Sequence, residues 1–208
     1  MKVIALINPG LEELAQKEIK ELTRSNTQLS KQAVEFEVKD KEEFLKLSKK
    51  MQSTRRLLIS LGKTEDLDKI ELVKLDWEKV FPKEFTFKVE VEGVKGQDNR
   101  IEIAKKIAGK FYEEIEGKIK PTLELKKPQL LVIVYFNQEE YFLGIDFNVE
   151  EINSRSYRVF AHHASFKGDL AYFFARESGF KPGEKLLVGF AKDGAIAIEA
   201  AKFALTSG

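Results

Sequence analysis

Seven consecutive apolar residues, LLVIVYF at positions 130–136, constrain the fold of this chain more than any other stretch. A run of this kind, without polar alternation, is typical of a strand that is buried on both faces. It is far too short to cross a membrane, because a transmembrane helix needs about 20 apolar residues. The sequence therefore predicts a sheet with this strand in a central position.

Strands and amphipathic helices alternate on the N-terminal side of this strand. Residues 1–65 predict a strand–helix–strand–helix–strand order, in KVIALIN, LEELAQKEIKEL, AVEFEVK, KEEFLKLSKKM and RRLLISLGK. We interpret this order as a ferredoxin-like subdomain. Residues 66–148 predict a second module with a helix LDKIELVKLDWEKVF, a strand FTFKVEVEG, a helix NRIEIAKKIAGKFYEEIEG that stops near Gly117, and three strands in PTLELKKPQLLVIVYFNQEEYFLGIDF.

The periodicity disappears at residues 149–165, which we interpret as a connector. Residues 166–208 then predict a helix KGDLAYFFARESGF, a strand KLLVGF, a loop AKDG and a helix AIAIEAAKFAL. A strand, a glycine-bearing turn and a helix in this order are typical of the start of a nucleotide-cofactor domain. The predicted fold class is therefore α/β, with an α+β N-terminal part.

Composition excludes several classes of function. The chain has no cysteine and two histidines, which rules out disulfides, thiolate catalysis and a Cys/His zinc site. The adjacent pair His162 and His163 points to opposite faces of an extended segment, so we expect no metal there. The net charge of +1 means that nucleic-acid binding would need a local basic face. With no signal peptide and no membrane segment predicted, we expect a cytoplasmic protein, and its excess of lysine over arginine favours a thermophilic source.

Three stretches carry a family resemblance: the junction SRSYRVFAHHASFK, the loop and helix KLLVGFAKDGAIAIEAA, and LKKP before the central strand. They resemble the THUMP-bearing guanine-N2 RNA methyltransferases, in which the junction typically reads RRGYR followed by H-x-A-x-L and the cofactor loop reads LLDPFCGSGTIPIEAA. The resemblance spans essentially the whole chain and is most specific in its C-terminal quarter. It implies a THUMP module at residues 66–148, followed at 166–208 by the first βα portion of a Rossmann-like methyltransferase fold.

The loop departs from the family pattern at several positions. Phe190 and Gly194 match the family, whereas Asp193 stands for serine, Lys192 for glycine and Val188 for an acidic residue. Glycine lets a backbone approach a cofactor at positive φ, and a lysine side chain would fill that space. We therefore interpret Phe190, Asp193 and Gly194 as a vestigial cofactor-binding loop and expect no cofactor, although the family uses S-adenosylmethionine.

The resemblance also implies where catalysis should reside. The family's catalytic tetrapeptide is an Asn or Asp, two prolines and an aromatic residue, and no NPP or DPP string occurs in this sequence. A doubly wound sheet needs several βα units, more than residues 166–208 can supply. Asp193 and Glu199 are six residues apart and do not share a helical face, so they do not form an acid–base pair. We expect no catalytic residues and no methylation by this polypeptide alone.

The candidate RNA contacts lie in one turn and in the connector. Arginine and lysine bind phosphate, and tyrosine stacks on an unpaired base. The alternatives are that the connector arginines form ion pairs with the nearby acidic segment VEE and staple the domains together, and that the lysines are only solvated. The predicted RNA-binding residues are Lys126, Lys127, Arg155, Tyr157, Arg158, His162 and Lys167.

These observations predict a non-catalytic RNA-binding THUMP protein whose partner is structured RNA, above all the tRNA acceptor region. One alternative is half of a split S-adenosylmethionine-dependent RNA methyltransferase, or a fragment of a longer one. Another is an accessory protein that delivers RNA to a separate enzyme. The apolar faces of KLLVGF and AIAIEAAKFAL also predict a homodimer or another partner that covers this C-terminal part, because one βα unit cannot bury them alone.

Overall fold

The computed structural model describes residues 1–115, 117, 119–159, 164–189 and 191–206. Its chain is a mixed α/β fold in which strands and helices alternate along most of the sequence. The elements are β1 (Lys2–Leu6), α1 (Glu12–Thr23), β2 (Thr27–Ser30), β3 (Ala33–Glu37), α2 (Lys41–Lys50), β4 (Arg56–Thr64), α3 (Trp77–Val80), β5 (Glu84–Glu92), α4 (Gln97–Ile115), β6 (Lys120–Leu123), β7 (Leu130–Phe136), β8 (Tyr141–Asp146), α5 (Gly168–Glu177) and α6 (Ala195–Thr206), with a 3₁₀ turn at Ile152–Ser154.

The chain divides into two compact units, and each is discontinuous in sequence. Unit 1 contains Met1–Ile4 and Leu58–Val149, and unit 2 contains Ala5–Leu57 and Glu150–Gly208. Neighbouring strands follow the order β1-β4-β8-β7-β5-β6 in unit 1 and β2-β3-β1-β4 in unit 2, with β1 and β4 contributing residues to both. The predicted domain boundaries after residues 65, 148 and 165 remain predictions.

The core of unit 1 forms around β7, in which residues 130–135 are all buried. β5 runs parallel to β7, and β8 runs antiparallel to it. Aromatic rings fill the space between this sheet and α4: the ring of Phe111 lies 5.0 Å from that of Phe87 and 5.6 Å from that of Trp77. The prediction of a central strand at residues 130–136 is therefore confirmed.

The core of unit 2 contains the apolar faces of α1 and α2. Ile19 of α1 and both Phe44 and Leu47 of α2 are buried, as the helical spacing of apolar residues predicts. Asp40 caps the start of α2, since its carboxylate accepts a hydrogen bond from the backbone N–H of Glu43 at 2.9 Å. In the same unit, α5 and α6 pack against each other.

The predicted helix at residues 67–81 is wrong over most of its length. Only Trp77–Val80 is helical, and residues 67–76 before it form a turn followed by irregular chain. Leu67 and Ile70 are nevertheless buried. The backbone N–H of Val73 donates to the carbonyl of Leu61 in β4 at 2.9 Å, and Lys110 of α4 donates to the carbonyl of Ile70 at 2.9 Å. Contacts with β4 and α4 therefore bury the apolar residues of an irregular segment, and a helix is not needed to bury them.

Two strand assignments also need correction. No pattern in the sequence predicted β2, a short polar strand that pairs with β3 in antiparallel fashion. The predicted strand KLLVGF is wrong, because none of residues 185–189 is in a strand and Phe190 lies outside the described residues. A strand exists only where its backbone pairs with a neighbour, and Leu187 of this segment is 96% exposed.

The remaining helices and strands were predicted correctly. The helix that was expected to stop near Gly117 ends at Ile115, and Gly117 has the left-handed φ of +75° that is typical beyond a helix end. The NQEE turn between β7 and β8 is stabilised by the side chain of Asn137, which accepts from the N–H groups of Glu139 and Glu140. No helix among the described residues is long and apolar enough to cross a membrane.

Gly93, which follows β5, is the most sterically restricted glycine of unit 1. Its φ is +78°, and a Cβ atom would lie 2.0 Å from the carbonyl oxygen of Phe136. Gly93→Ala should therefore lower the free energy of unfolding by about 2 kcal/mol or more in urea denaturation followed by circular dichroism. Gly109→Ala is the matched control in α4, where a Cβ meets nothing within 4 Å, and should stabilise by about 0.5–1 kcal/mol. Equal stability of the two variants would contradict this account.

Candidate functional site

A fully buried carboxylate on α6 organises the C-terminal part of unit 2. Glu199 is 0% exposed, and its Oε1 accepts hydrogen bonds from Nε of Arg155 at 2.8 Å and from the Tyr157 hydroxyl at 2.6 Å. Its Oε2 accepts from Nε2 of Gln52 at 2.6 Å and from Nη2 of Arg155 at 3.1 Å. We call Glu199, Arg155, Tyr157 and Gln52 the Glu199 cluster. It joins α6 to the segment after the 3₁₀ turn and to the loop between α2 and β4.

The guanidinium of Arg155 is saturated within the protein. Besides Glu199, it donates to the backbone carbonyls of Gln52 at 2.6 Å and Ile152 at 3.0 Å, and its side chain is only 4% exposed. The backbone of Arg155 has a φ of +56°, which a non-glycine residue rarely adopts. Gly168 lies directly against this side chain, since a Cβ there would be 2.3 Å from Nε of Arg155. The position of the arginine therefore requires glycine at 168.

The loop that contacts Glu199 is held on another side by a second buried carboxylate. Glu18 of α1 is 3% exposed and accepts from the N–H groups of Gln52 at 2.8 Å and Ser53 at 2.9 Å, and also from the Ser53 hydroxyl. Burial raises the pKa of Glu18 above its ordinary value, and the hydrogen bonds only partly offset this effect. Charge-assisted hydrogen bonds thus fix the loop from two sides.

Desolvation also shifts the pKa of groups around Glu199. Burial and the hydrogen bond to Glu199 both raise the pKa of Tyr157, so its hydroxyl remains a donor at all physiological pH values. Burial and the charge of Arg155 lower the pKa of Lys202, whose Nζ lies 3.8 Å from Oε1 of Glu199. The cluster can therefore position helices and the connector, but it contains no nucleophile with a partnered base.

The connector makes a further ion pair with Glu151. This carboxylate accepts from Nη1 of Arg55 at 2.9 Å and from Nζ of Lys167 at 2.8 Å. Burial opposes its ionisation, but the hydrogen bonds from Lys167 and Arg55 outweigh burial and hold the pKa of Glu151 below its ordinary value. The acidic segment VEE therefore pairs with Arg55 and Lys167, whereas Arg155 pairs with Glu199.

The loop before α6 folds back on the connector. Lys192 has a left-handed φ of +53°, and its Nζ donates to the carbonyl of Ala164 at 2.6 Å. Asp193 accepts from Nε of Arg158 at 3.3 Å and from the N–H of Ala195 at 3.2 Å, which caps α6. Gly194 follows with a φ of +76°. The loop thus has a residue of left-handed φ on either side of Asp193, and the Lys192 side chain reaches the connector at Ala164.

Two protein families match this chain. Residues 63–146 match the THUMP domain, and residues 155–207 match the family described as RMKL-like, methyltransferase domain. The chain therefore contains one region that matches the THUMP domain and a second, C-terminal region that matches a methyltransferase domain, which we call the methyltransferase-type segment. The THUMP domain falls within unit 1 and the methyltransferase-type segment within unit 2.

Several solved structures share this fold. TrmN from Thermus thermophilus has 23% sequence identity and a TM-score of 0.71, with 98% of this chain and 62% of that chain covered. A predicted N6-adenine-specific DNA methylase from Listeria monocytogenes has 20% identity and a TM-score of 0.72, with 98% and 55% covered. A possible methylase from Clostridium difficile 630 has 17% identity and a TM-score of 0.71, with the same coverage as the Listeria protein. The chain thus spans between 55% and 62% of the length of these proteins.

The predicted RNA-binding residues occupy different environments. Lys126 and Lys127 lie exposed in the turn between β6 and β7 of the THUMP domain. In the methyltransferase-type segment, the polar groups of Arg155, Tyr157 and Arg158 contact other protein groups, whereas Lys167 is exposed and paired with Glu151. His162, and Phe190 of the predicted cofactor loop, lie outside the described residues.

The sequence interpretation missed Glu18, Gln52 and Gly168 and did not predict a role for Glu199. A signal was present for the two carboxylates. Glu199 is the single charge within AIAIEAA, and Glu18 follows the apolar face of α1, three residues after the buried Ala15. A charge at an apolar helical position must be paired when it is buried. The identity of the partner depends on long-range contacts that spacing does not encode.

Removal of Arg155 should destabilise unit 2 strongly, because Glu199 would remain buried without its main counter-charge. We expect Arg155→Ala to cost about 3–5 kcal/mol of unfolding free energy, measured by urea denaturation. Combining it with Glu199→Leu should recover part of that loss, since the orphaned charge is then removed. Lys46→Ala, which breaks the exposed pair with Glu42, is the control and should have no measurable effect. A loss for Arg155→Ala as small as for the control would contradict a stabilising role for the cluster.

Proposed function

We propose that this protein binds structured RNA and that the RNA is a tRNA. The THUMP domain at residues 63–146 is the observation that carries this proposal. The resemblance to RNA methyltransferases supports it, because their THUMP modules grip the acceptor end of tRNA or related rRNA. Phosphate contacts would supply most of the affinity, so binding should weaken steeply as salt is added.

Among the predicted contacts, the lysine pair Lys126 and Lys127 best suits phosphate binding. Both are exposed, and they follow an edge strand, β6, that pairs only with β5 in the described sheet. By contrast, the side chains of Arg155 and Arg158 are 4% and 13% exposed and are paired with Glu199 and Asp193. We therefore assign the connector arginines a structural role and place the phosphate contacts on exposed lysines.

Fluorescence anisotropy with full-length tRNA across a salt series tests this function directly. Lys126→Ala combined with Lys127→Ala should weaken binding several-fold and reduce the slope of log K against log salt by about 1 for each phosphate that is no longer neutralised. Lys49→Ala with Lys50→Ala is the matched control, an exposed lysine pair in α2, and should leave the slope unchanged. A tRNA without its 3′ CCA end should bind more weakly. Absence of wild-type binding at low salt would refute the proposal.

The same proposal holds that this chain by itself does not transfer a methyl group. Lys192 stands where the family loop has glycine, and its side chain is directed to the carbonyl of Ala164. The tripeptides NPP and DPP do not occur in its sequence. We therefore propose that S-adenosylmethionine does not bind to this chain on its own.

One observation favours a second candidate function. In it, this chain is the RNA-binding part of a methyltransferase that is split between two polypeptides or is longer than this chain. Residues 185–188 have the sequence of a strand and yet are not paired with any strand among the described residues, with Leu187 96% exposed. Such a segment would gain backbone hydrogen bonds from a neighbouring strand in a Rossmann-like sheet. A polypeptide that supplies the rest of the sheet would therefore complete both the strand and the cofactor site.

Calorimetry with S-adenosylmethionine separates the two candidates. The chain alone should give no binding heat, because Lys192 stands where the family loop has glycine. Under the second candidate, binding should appear when the chain is copurified with a Rossmann-type polypeptide that carries an NPP or DPP motif. Leu187→Glu should abolish that copurification while leaving RNA binding intact. Micromolar binding of S-adenosylmethionine to the chain alone would contradict the inactive loop.

A further inference from the structure

Two neighbouring phenylalanines form an exposed aromatic surface next to the connector. The rings of Phe166 and Phe174 lie with their centroids 4.9 Å apart and are tilted by 47°. The two residues are 37% and 38% exposed, although both are large and apolar. Nζ of Lys192 lies 5.6 Å from the centroid of the Phe166 ring. We call Phe166, Phe174 and Lys192 the Phe166 platform.

Two lysines lie beside the Phe166 ring, Lys167 next to it in sequence and Lys192 in contact with it. Lys167 follows Phe166 directly and pairs with Glu151, which is also paired with Arg55. Lys192 adjoins Asp193, whose partner is Arg158. Lys167 is thus adjacent to Phe166 in sequence, and Lys192 contacts its ring. The ammonium of Lys192 has three donors, of which the carbonyl of Ala164 takes one.

An exposed aromatic pair with lysines at its edge has the chemistry of a single-stranded nucleic-acid site. Every base has a π-face that can stack on an aromatic ring, and the adjacent cations can contact the phosphates that connect the bases. The ammonium groups of Lys167 and Lys192 beside Phe166 suit the phosphates of a polyanion, so we favour RNA over a protein at this surface. We propose that the Phe166 platform is a stacking site for unpaired nucleotides of the bound RNA. This inference rests on the proposed RNA-binding function and adds a site within the methyltransferase-type segment.

A thermodynamic cycle tests the proposal on the full chain. The probes are two fluorescein-labelled RNA hairpins, one blunt and one with a four-nucleotide unpaired 3′ tail, and their affinities are measured by anisotropy. The wild-type protein should bind the tailed hairpin at least about five-fold more tightly than the blunt one. This factor corresponds to one base stacked on an aromatic ring at the lower end of the usual range. Phe166→Ala with Phe174→Ala should remove this preference and leave affinity for the blunt hairpin nearly unchanged. If the tail preference persists in the double variant, the platform does not stack on the tail and the proposal is overturned.

Conservative variants distinguish stacking from simple apolar packing. Phe166→Leu with Phe174→Leu keeps the apolar bulk but removes both rings, so it should also lose the preference for the tail. Lys192→Gln should reduce the salt slope for the tailed hairpin by roughly 0.7, the value for one phosphate contact of a single strand. Leu205→Ser changes an 84% exposed residue outside the platform and should alter neither quantity. Circular dichroism melting checks that each variant is folded.

The outcomes separate this proposal from the proposed function. If the wild-type chain binds tRNA and the blunt hairpin but the tail has no effect, the platform proposal fails and the RNA-binding function stands. If the wild-type chain binds no RNA at low salt, both fail. If light scattering shows that the phenylalanine variants turn a dimer into a monomer while the tail preference persists, the platform is a protein contact and the proposal is overturned.

Discussion

The buried ion pair between Glu199 and Arg155 is the interaction on which unit 2 depends. A carboxylate at 0% exposure is stable only with close counter-charge and hydrogen bonds to both oxygens, and Glu199 has them from three side chains. These donors come from segments more than 40 residues away in sequence. Because a partly satisfied buried network is more costly than an apolar core, each of these segments must occupy a defined position. The glycine at 168 and the left-handed backbone of Arg155 follow from that requirement.

This network engages the connector side chains that the sequence suggested as RNA ligands. Arginine, tyrosine and arginine in the order R-x-Y-R have the chemistry of RNA ligands, yet here each is bound to a protein acceptor. A side chain whose donors are already paired in a desolvated site has little to gain from a phosphate. The groups that remain accessible are lysines with water-exposed ends and the aromatic pair of Phe166 and Phe174. Recognition of RNA, as proposed, and organisation of the fold therefore use different residues within the same stretch of chain.

In the loop before α6, a lysine adopts a left-handed backbone conformation that glycine usually favours. Lys192 adopts the left-handed φ that glycine takes without cost, and a non-glycine residue there is strained by about 1 kcal/mol or more. The same side chain donates a hydrogen bond to the carbonyl of Ala164 and lies over the ring of Phe166. The sequence predicted that lysine would fill the space of the loop. The structure adds that the Lys192 side chain contacts Ala164 and so connects the loop before α6 to the connector.

Local sequence by itself determined most of the elements. The uninterrupted apolar run at 130–136 and the 3.6-residue spacing in α1, α2 and α4 are local signals, and the structure confirms each of them. Only the tertiary structure decided the state of 67–76 and 185–188, because their apolar residues fit a helix or strand equally well until neighbours are present. Contacts with β4 and α4 hold the first segment in an irregular conformation, and the lack of a paired strand among the described residues leaves the second irregular. The partners of Glu199 were likewise decided by tertiary structure, since a charge in an apolar helix shows that pairing is needed and not which distant residue provides it.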